Sequence, residues 1–386
     1  MVKHFALTNE TVFVSGRTLY RIMATQDLPQ FKVKKGDIGG FIESEKNLSG
    51  NAWVAERAKV YESALVTENA IVRGDAKVYG QAKIYGSAKV SNTATVKDKA
   101  QVYNNAHVHG NANVSGECRI TNNASIYCNA NVAGFSLVSG NARVYGNSTV
   151  GEFSEVEGNA RIFDNAYVIG NSKVRGNAKI RLNATINGNA TVQGYSLVQG
   201  SAVVSGYALL DDKAKVIGNS LVTGEACARG NSVVKDFARV IEKAMVSGAA
   251  KVFENSILSG ECEITDRAEV YGNSRVFDKA LIYGEARVFE KAYTGGVARV
   301  GEKSIVRDCA VIFDDKDIVH VPNALGISEW SDKSYSVTGF RTASGKPYVA
   351  FDEESGPAGN LVKFVKEYKH IQKLIIARSK QWKTGE

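Results

Sequence analysis

His107 and His109 lie two residues apart, and rings and cations recur at intervals of 18 residues alongside them. Tyr127 comes first, then Arg143 with Tyr145, Arg161 with Phe163, and Lys179 with Arg181. These residue types support several chemistries. An imidazole can serve as a general base. Arginine and lysine hold phosphate or carboxylate, arginine through a bidentate fork. Tyrosine and phenylalanine offer faces for stacking on nucleobases or edges for packing against protein. Two histidines on one segment fall short of the three converging ligands of a catalytic zinc site. The five cysteines, an odd number, show no CxxC spacing, which makes a structural zinc site or a disulfide framework a poor reading. Cys118 and Cys262 occupy inward positions of the pattern described below, Cys128 and Cys309 fall at corners, and Cys227 points outward with no histidine nearby in sequence. A reactive thiol needs an electropositive setting, so these cysteines read as structural. No metal or other cofactor is expected.

Something must hold these side chains in register, and an internal repeat does so. From Ala52 to Ala310, every sixth residue is Ala, Ser or Cys, 44 positions in an unbroken frame. Two residues after each stands Val, Ile or Leu, with Ala228 and Thr294 the only exceptions. Residues two apart on a strand face the same side. The next two positions favour Gly, Asp, Glu and Asn, as in Ala142-Arg143-Val144-Tyr145-Gly146-Asn147. Gly and Asn tolerate the positive φ of a tight corner. A short strand and a corner every six residues wind an all-β solenoid, a parallel β-helix in which each coil satisfies the backbone of the next. A β-sandwich would space its strands by about 8–12 residues.

Residues 52–313 resemble the hexapeptide-repeat, left-handed β-helix proteins. The resemblance implies three hexads per triangular coil, with the small and aliphatic residues inward. The segment Gly36-Asp-Ile-Gly-Gly-Phe-Ile-Glu-Ser-Glu-Lys-Asn-Leu-Ser-Gly-Asn-Ala-Trp-Val54 is similar to the opening of YdcK-like proteins, hexapeptide-repeat proteins of bacteria and their phages. The C-terminal piece resembles a module that follows such repeats in phage and prophage proteins. These likenesses imply an accessory role, such as interference with a host defence system. Hexapeptide acyltransferases share the coils, and that likeness implies an alternative: an enzyme using a CoA thioester. Those enzymes use a boundary histidine and a loop extruded from a coil. No insertion interrupts the repeat here, and the Gly placement departs from the transferase consensus.

The expected organisation is an N-terminal β cap over 1–51, the β-helix over 52–313, and a C-terminal hairpin-helix module over 314–386. A solenoid needs caps because its ends expose apolar edges and unpaired strands. Two strands around Ser15-Gly16 are predicted within 4–24, a hairpin within 334–351, and a helix opening at Gly359-Asn360. Leu361, Phe364, Val365, Tyr368, Ile371 and Ile375 would share one face of that helix. Its lysines form either a solvated face or a contact for an anionic partner.

The net charge is +8, and the 18-residue spacing sorts it. The face that carries His107 to Arg181 holds 11 Lys/Arg and one Glu, whereas the other two have net charges of +5 and +2. This basic-aromatic face could bind an acidic protein, a nucleic acid or a nucleotide. Equally, its rings could brace neighbouring strands while its cations keep the surface soluble. The sequence has no run of 18 apolar residues and begins without an apolar signal segment, so no membrane partner and a cytoplasmic location are expected. Three functions remain in view: non-enzymatic binding, acyl transfer, and a scaffold. Homo-oligomer formation is left open.

Overall fold

The computed structural model describes residues 3–307 and 310–312, together with strand backbone at 317–318, 324–330, 333–341 and 347–351. The described chain is an all-β parallel solenoid of about 15 turns, with no α-helix among the described residues. It forms two compact units, residues 1–195 and 196–386.

In the first unit, β1 (Phe5–Val14) and β2 (Arg17–Ala24) pair antiparallel around Ser15 and Gly16. β3 (Ile38–Ile42) pairs antiparallel with β2 and parallel with the Lys59–Val60 strand, so it joins the hairpin to the repeat. The imidazole of His4 lies 2.7 Å from the carbonyl of Ala52 and ties the hairpin to the first coil. This cap explains one departure from the sequence pattern. Trp53 sits between the inward Ala52 and Val54, an outward place in the repeat, but it is 1% exposed. A Cβ on Gly39 would lie 2.7 Å from its ring, so β3 approaches it too closely for any other residue there. Tyr61 is likewise buried against Leu19 and Phe41.

From Ala52 onward most hexads give a two-residue strand and a corner, with longer strands at Leu197–Gly200, Lys215–Gly218 and Ile305–Arg307. Pairing advances by 18 residues, as in Lys89↔His107 and His107↔Ser125, so three hexads make one coil. Backbone hydrogen bonds connect successive coils, for example His107 N–H to the carbonyl of Ala124 at 2.9 Å. The small and aliphatic residues are fully buried, including Val108, Ala142 and Val144. Where Ser replaces Ala, its hydroxyl can donate locally: Ser148 Oγ–H bonds the Tyr145 carbonyl at 2.8 Å.

Corner positions favour glycine or an acid for a physical reason. Gly146 has φ +73°, and a Cβ there would lie 2.7 Å from the backbone nitrogen of Asp164 in the next coil. Asp164 adopts φ +57° and its carboxylate accepts the Leu182 N–H at 3.1 Å. Asn105, Asn123, Asn141, Asn159 and Asn177 form a column in which each amide donates to the next at 3.1–3.3 Å.

The second unit repeats this construction, with Lys215↔Val233, Val233↔Lys251, Lys251↔Glu269 and Glu269↔Arg287 on one sheet. Its last described strands, Ala324–Trp330, Lys333–Arg341 and Pro347–Phe351, pair antiparallel in sequence order. The expected helix after Gly359 lies outside the described residues, as do His320, His370 and Cys309. No described helix is long and apolar enough to cross a membrane.

Candidate functional site

All nine residues singled out by sequence lie in the first unit, on one sheet. His107, Ser125, Arg143, Arg161 and Lys179 follow one another in cross-strand register. Two residues further along each hexad stand His109, Tyr127, Tyr145, Phe163 and Arg181. The residues between the two lanes, Val108, Ile126, Val144, Ile162 and Ile180, are fully buried. Strand alternation therefore turns both lanes outward.

The second lane forms a stack of parallel rings. Centroid separations are 5.0 Å from His109 to Tyr127, 4.8 Å from Tyr127 to Tyr145 and 5.0 Å from Tyr145 to Phe163, with interplanar angles of 3–6°. His107 packs on His109 at 4.2 Å. Tyr127 and Tyr145 thus have rings on both faces. A base inserted between two rings would need them about 7 Å apart, two carbon contacts of roughly 3.5 Å. The strand spacing does not allow this between the interior rings. The stack instead presents ring edges and hydroxyls. Burial, and secondarily Tyr145, raises the pKa of the Tyr127 hydroxyl, so it remains a donor.

The first lane supplies charge. Arg143, Arg161 and Lys179 are exposed, and none is ion-paired among the described residues. Arg181 is partly buried and has an interaction partner. No acidic residue occupies either lane in this unit.

The histidines are poorly equipped as catalytic bases. His107 Nε2 lies 3.1 Å from Ser91 Oγ, and His109 Nε2 lies 3.5 Å from Ser125 Oγ. Burial, then His109, Lys89 and Arg73, push the His107 pKa down to about 4. Burial also lowers that of His109. Both rings are neutral at pH 7, and His107 is a weak proton acceptor. Among the described residues, no group of three or more His, Cys, Asp or Glu could hold a metal ion. Burial pushes the Cys118 and Cys262 thiols up to about 12, and it also raises Cys227.

The 18-residue period puts Lys89, Arg73 and Ser91 on the same face as His107 but does not single them out; Ser91 contacts His107, and Lys89 and Arg73 oppose its protonation. The Ser91 contact depends on side-chain direction, which periodicity does not encode.

Residues 138–152 match the family model described as YdcK Beta solenoid repeat. The match includes Arg143, Val144 and Tyr145 from the middle of the face, and it agrees with the parallel β-solenoid of both units. The molecule is consistent with a YdcK-like repeat protein. The curated proteins include no match to the chain.

Proposed function

We propose that the protein is a non-enzymatic binding module whose first unit captures an extended polyanion, a nucleic acid or an acidic protein. The observation that supports this reading is the row Arg143–Arg161–Lys179, three exposed cations on consecutive coils with no carboxylate between them. Three like charges held at strand spacing, about 4.8 Å, repel one another and gain from a bound anion. The row is rigid before binding, so little ordering entropy opposes capture. Beside it, the Tyr127 and Tyr145 hydroxyls add hydrogen-bond donors. A single nucleotide finds charge here but no gap between the interior rings, so an extended ligand fits the face better. In the phage-type accessory role implied by resemblance, the captured molecule belongs to a host system.

The test is binding of a fluorescent dT20 oligomer and of poly-L-glutamate to the full chain and to the double variant Arg143→Glu/Arg161→Glu. At low salt the variant should lose about tenfold or more in affinity for at least one probe, and wild-type binding should weaken steeply with salt. Lys77→Glu/Lys97→Glu, on another sheet of the same unit, is the charge-matched control. Equal loss in both variants would reduce the effect to net charge and overturn the site.

A further inference from the structure

The corners carry a second arrangement, in the first unit, that strand-based sorting of the faces passes over. A surface depression of about 410 Å³ lies beside the sheet that contains Lys83, Gln101 and Arg119, which pair in that order across three coils. In a parallel lane two residues earlier in each hexad stand Lys99, Glu117 and Phe135. Its volume is within the range of small-molecule sites, roughly 300–1,000 Å³.

Its lining is selective. Lys83 and Arg119 are exposed, and neither is ion-paired among the described residues. Between them, the Gln101 side-chain carbonyl accepts the Tyr85 hydroxyl at 3.2 Å, which leaves its amide N–H groups for another acceptor. Lys99 neutralises Glu117 at 2.7 Å, so the lining has three cations against one acid. Phe135 is 52% exposed. One face of its ring stacks on Phe153 at 5.0 Å. Phe153 is one coil further on and does not line the depression, so Phe135 meets the depression on its other side, toward the coil that holds Glu117. The interior rings of the ladder, by contrast, have rings on both faces.

We propose that this depression binds a nucleotide-class ligand, a planar heteroaromatic ring that carries phosphate. The ring lies against the exposed side of Phe135 that lines the depression. The phosphate sits between Lys83 and Arg119 and accepts from the Gln101 amide. A cation on each side and a neutral donor between them suit an anion with several acceptor oxygens. An aromatic face at the end of that row adds a preference for a planar base. The site is separate from the Arg143–Arg161–Lys179 row and does not depend on it.

The experiment titrates AMP, adenosine and pyrophosphate separately into the full-length protein by calorimetry. AMP should bind with a dissociation constant on the order of 1 mM or tighter, and adenosine more weakly than AMP. Phe135→Ala should weaken AMP by about tenfold, the loss of one stacked base, and leave pyrophosphate unchanged. Phe135→Tyr should retain AMP binding. Lys83→Gln/Arg119→Gln should weaken both AMP and pyrophosphate. Phe135, Lys83 and Arg119 are all at the surface, and unchanged melting curves would show that the variants fold. Arg143→Glu/Arg161→Glu should leave AMP binding intact, which separates this site from the polyanion face. The proposal is overturned by the absence of AMP binding at about 5 mM, by adenosine binding as well as AMP, or by Phe135→Ala having no effect on AMP.

Discussion

Two aromatic ladders, one in each unit, share their geometry and differ in their charge. In the first unit, His109, Tyr127, Tyr145 and Phe163 stack at 4.8–5.0 Å. In the second, Phe253, Tyr271 and Phe289 stack at 4.7 and 4.8 Å. The rings alone therefore do not mark a site: any column of aromatics in this repeat stacks at strand spacing. The neighbouring lane distinguishes the two. In the second unit Glu269 stands between Lys251 and Arg287, 2.9 Å and 3.8 Å from their charged groups. The Lys235 amine rests over the Phe253 ring at 4.8 Å and lies 3.4 Å from Asp236. Those cations are already engaged, whereas Arg143, Arg161 and Lys179 are not. One carboxylate in register converts an anion-attracting row into a self-satisfied one.

The comparison assumes that each ladder stands on a dry, rigid core. Val144 is fully buried between Arg143 and Tyr145, and Val270 holds the matching place beneath Glu269 and Tyr271. Val144→Asp should cost about 4 kcal/mol or more, because an unpaired charge enters the core. Val270→Asp should be comparably severe. Urea titrations followed by circular dichroism measure both. A mild effect in either would mean that its ladder rests on a yielding support, and the two could no longer be compared as equals.

Glu269→Gln tests the role of the carboxylate directly. The variant releases Lys251 and Arg287 and should raise the affinity of the full chain for dT20 or poly-L-glutamate about threefold at low salt. No gain would show that free cations beside a ladder are insufficient for binding.

The smallest expected effect concerns protons, because the second ladder contains no imidazole. The unfolded His107 ring titrates near 6.5, the ordinary value for histidine, but the folded ring does so only at about 4. Between those values the unfolded chain binds more protons, so stability is intact above pH 6.5 and declines as pH falls toward 4. The ring is only partly buried, which tempers the effect. His107→Gln should flatten the decline, and the melting temperatures of variant and wild type should differ by roughly 2–4 °C more at pH 4.5 than at pH 7. A parallel decline in both proteins would assign the acid sensitivity to other groups.

Much of the fold is legible in the sequence because the constraint is local and repeated. Ala142 and Val144 are two apart on a strand, Gly146 needs a positive φ, and the same logic recurs every six residues. The lanes follow too, since Arg143, Arg161 and Lys179 are related by arithmetic alone. What the sequence withholds depends on side-chain direction and on contacts outside the repeat. Trp53 fits the outward pattern yet is buried, because β3 covers it. Tyr127 and Tyr145 are legible as rings, but the covering of their faces follows from χ angles that periodicity does not specify. Phe135 occupies a turn position, where composition suggests backbone chemistry rather than a binding surface. The corner acids are legible as charge, but the acceptance of the Gly116 N–H by Asp98 at 3.0 Å requires the next coil to be in view.

The 18-residue register also makes the surface renumberable. Within a unit, an insertion of 18 residues adds one coil and returns every later side chain to its own sheet. An insertion of six keeps the small and aliphatic residues inward but rotates all later outward residues onto the neighbouring sheet. Duplicating one hexad after Tyr127 would separate the Arg143–Arg161–Lys179 row from His107 without placing a single polar residue in the core. Lineages of such chains can therefore change which surfaces they present by slippage in units of six, and the interior would register nothing.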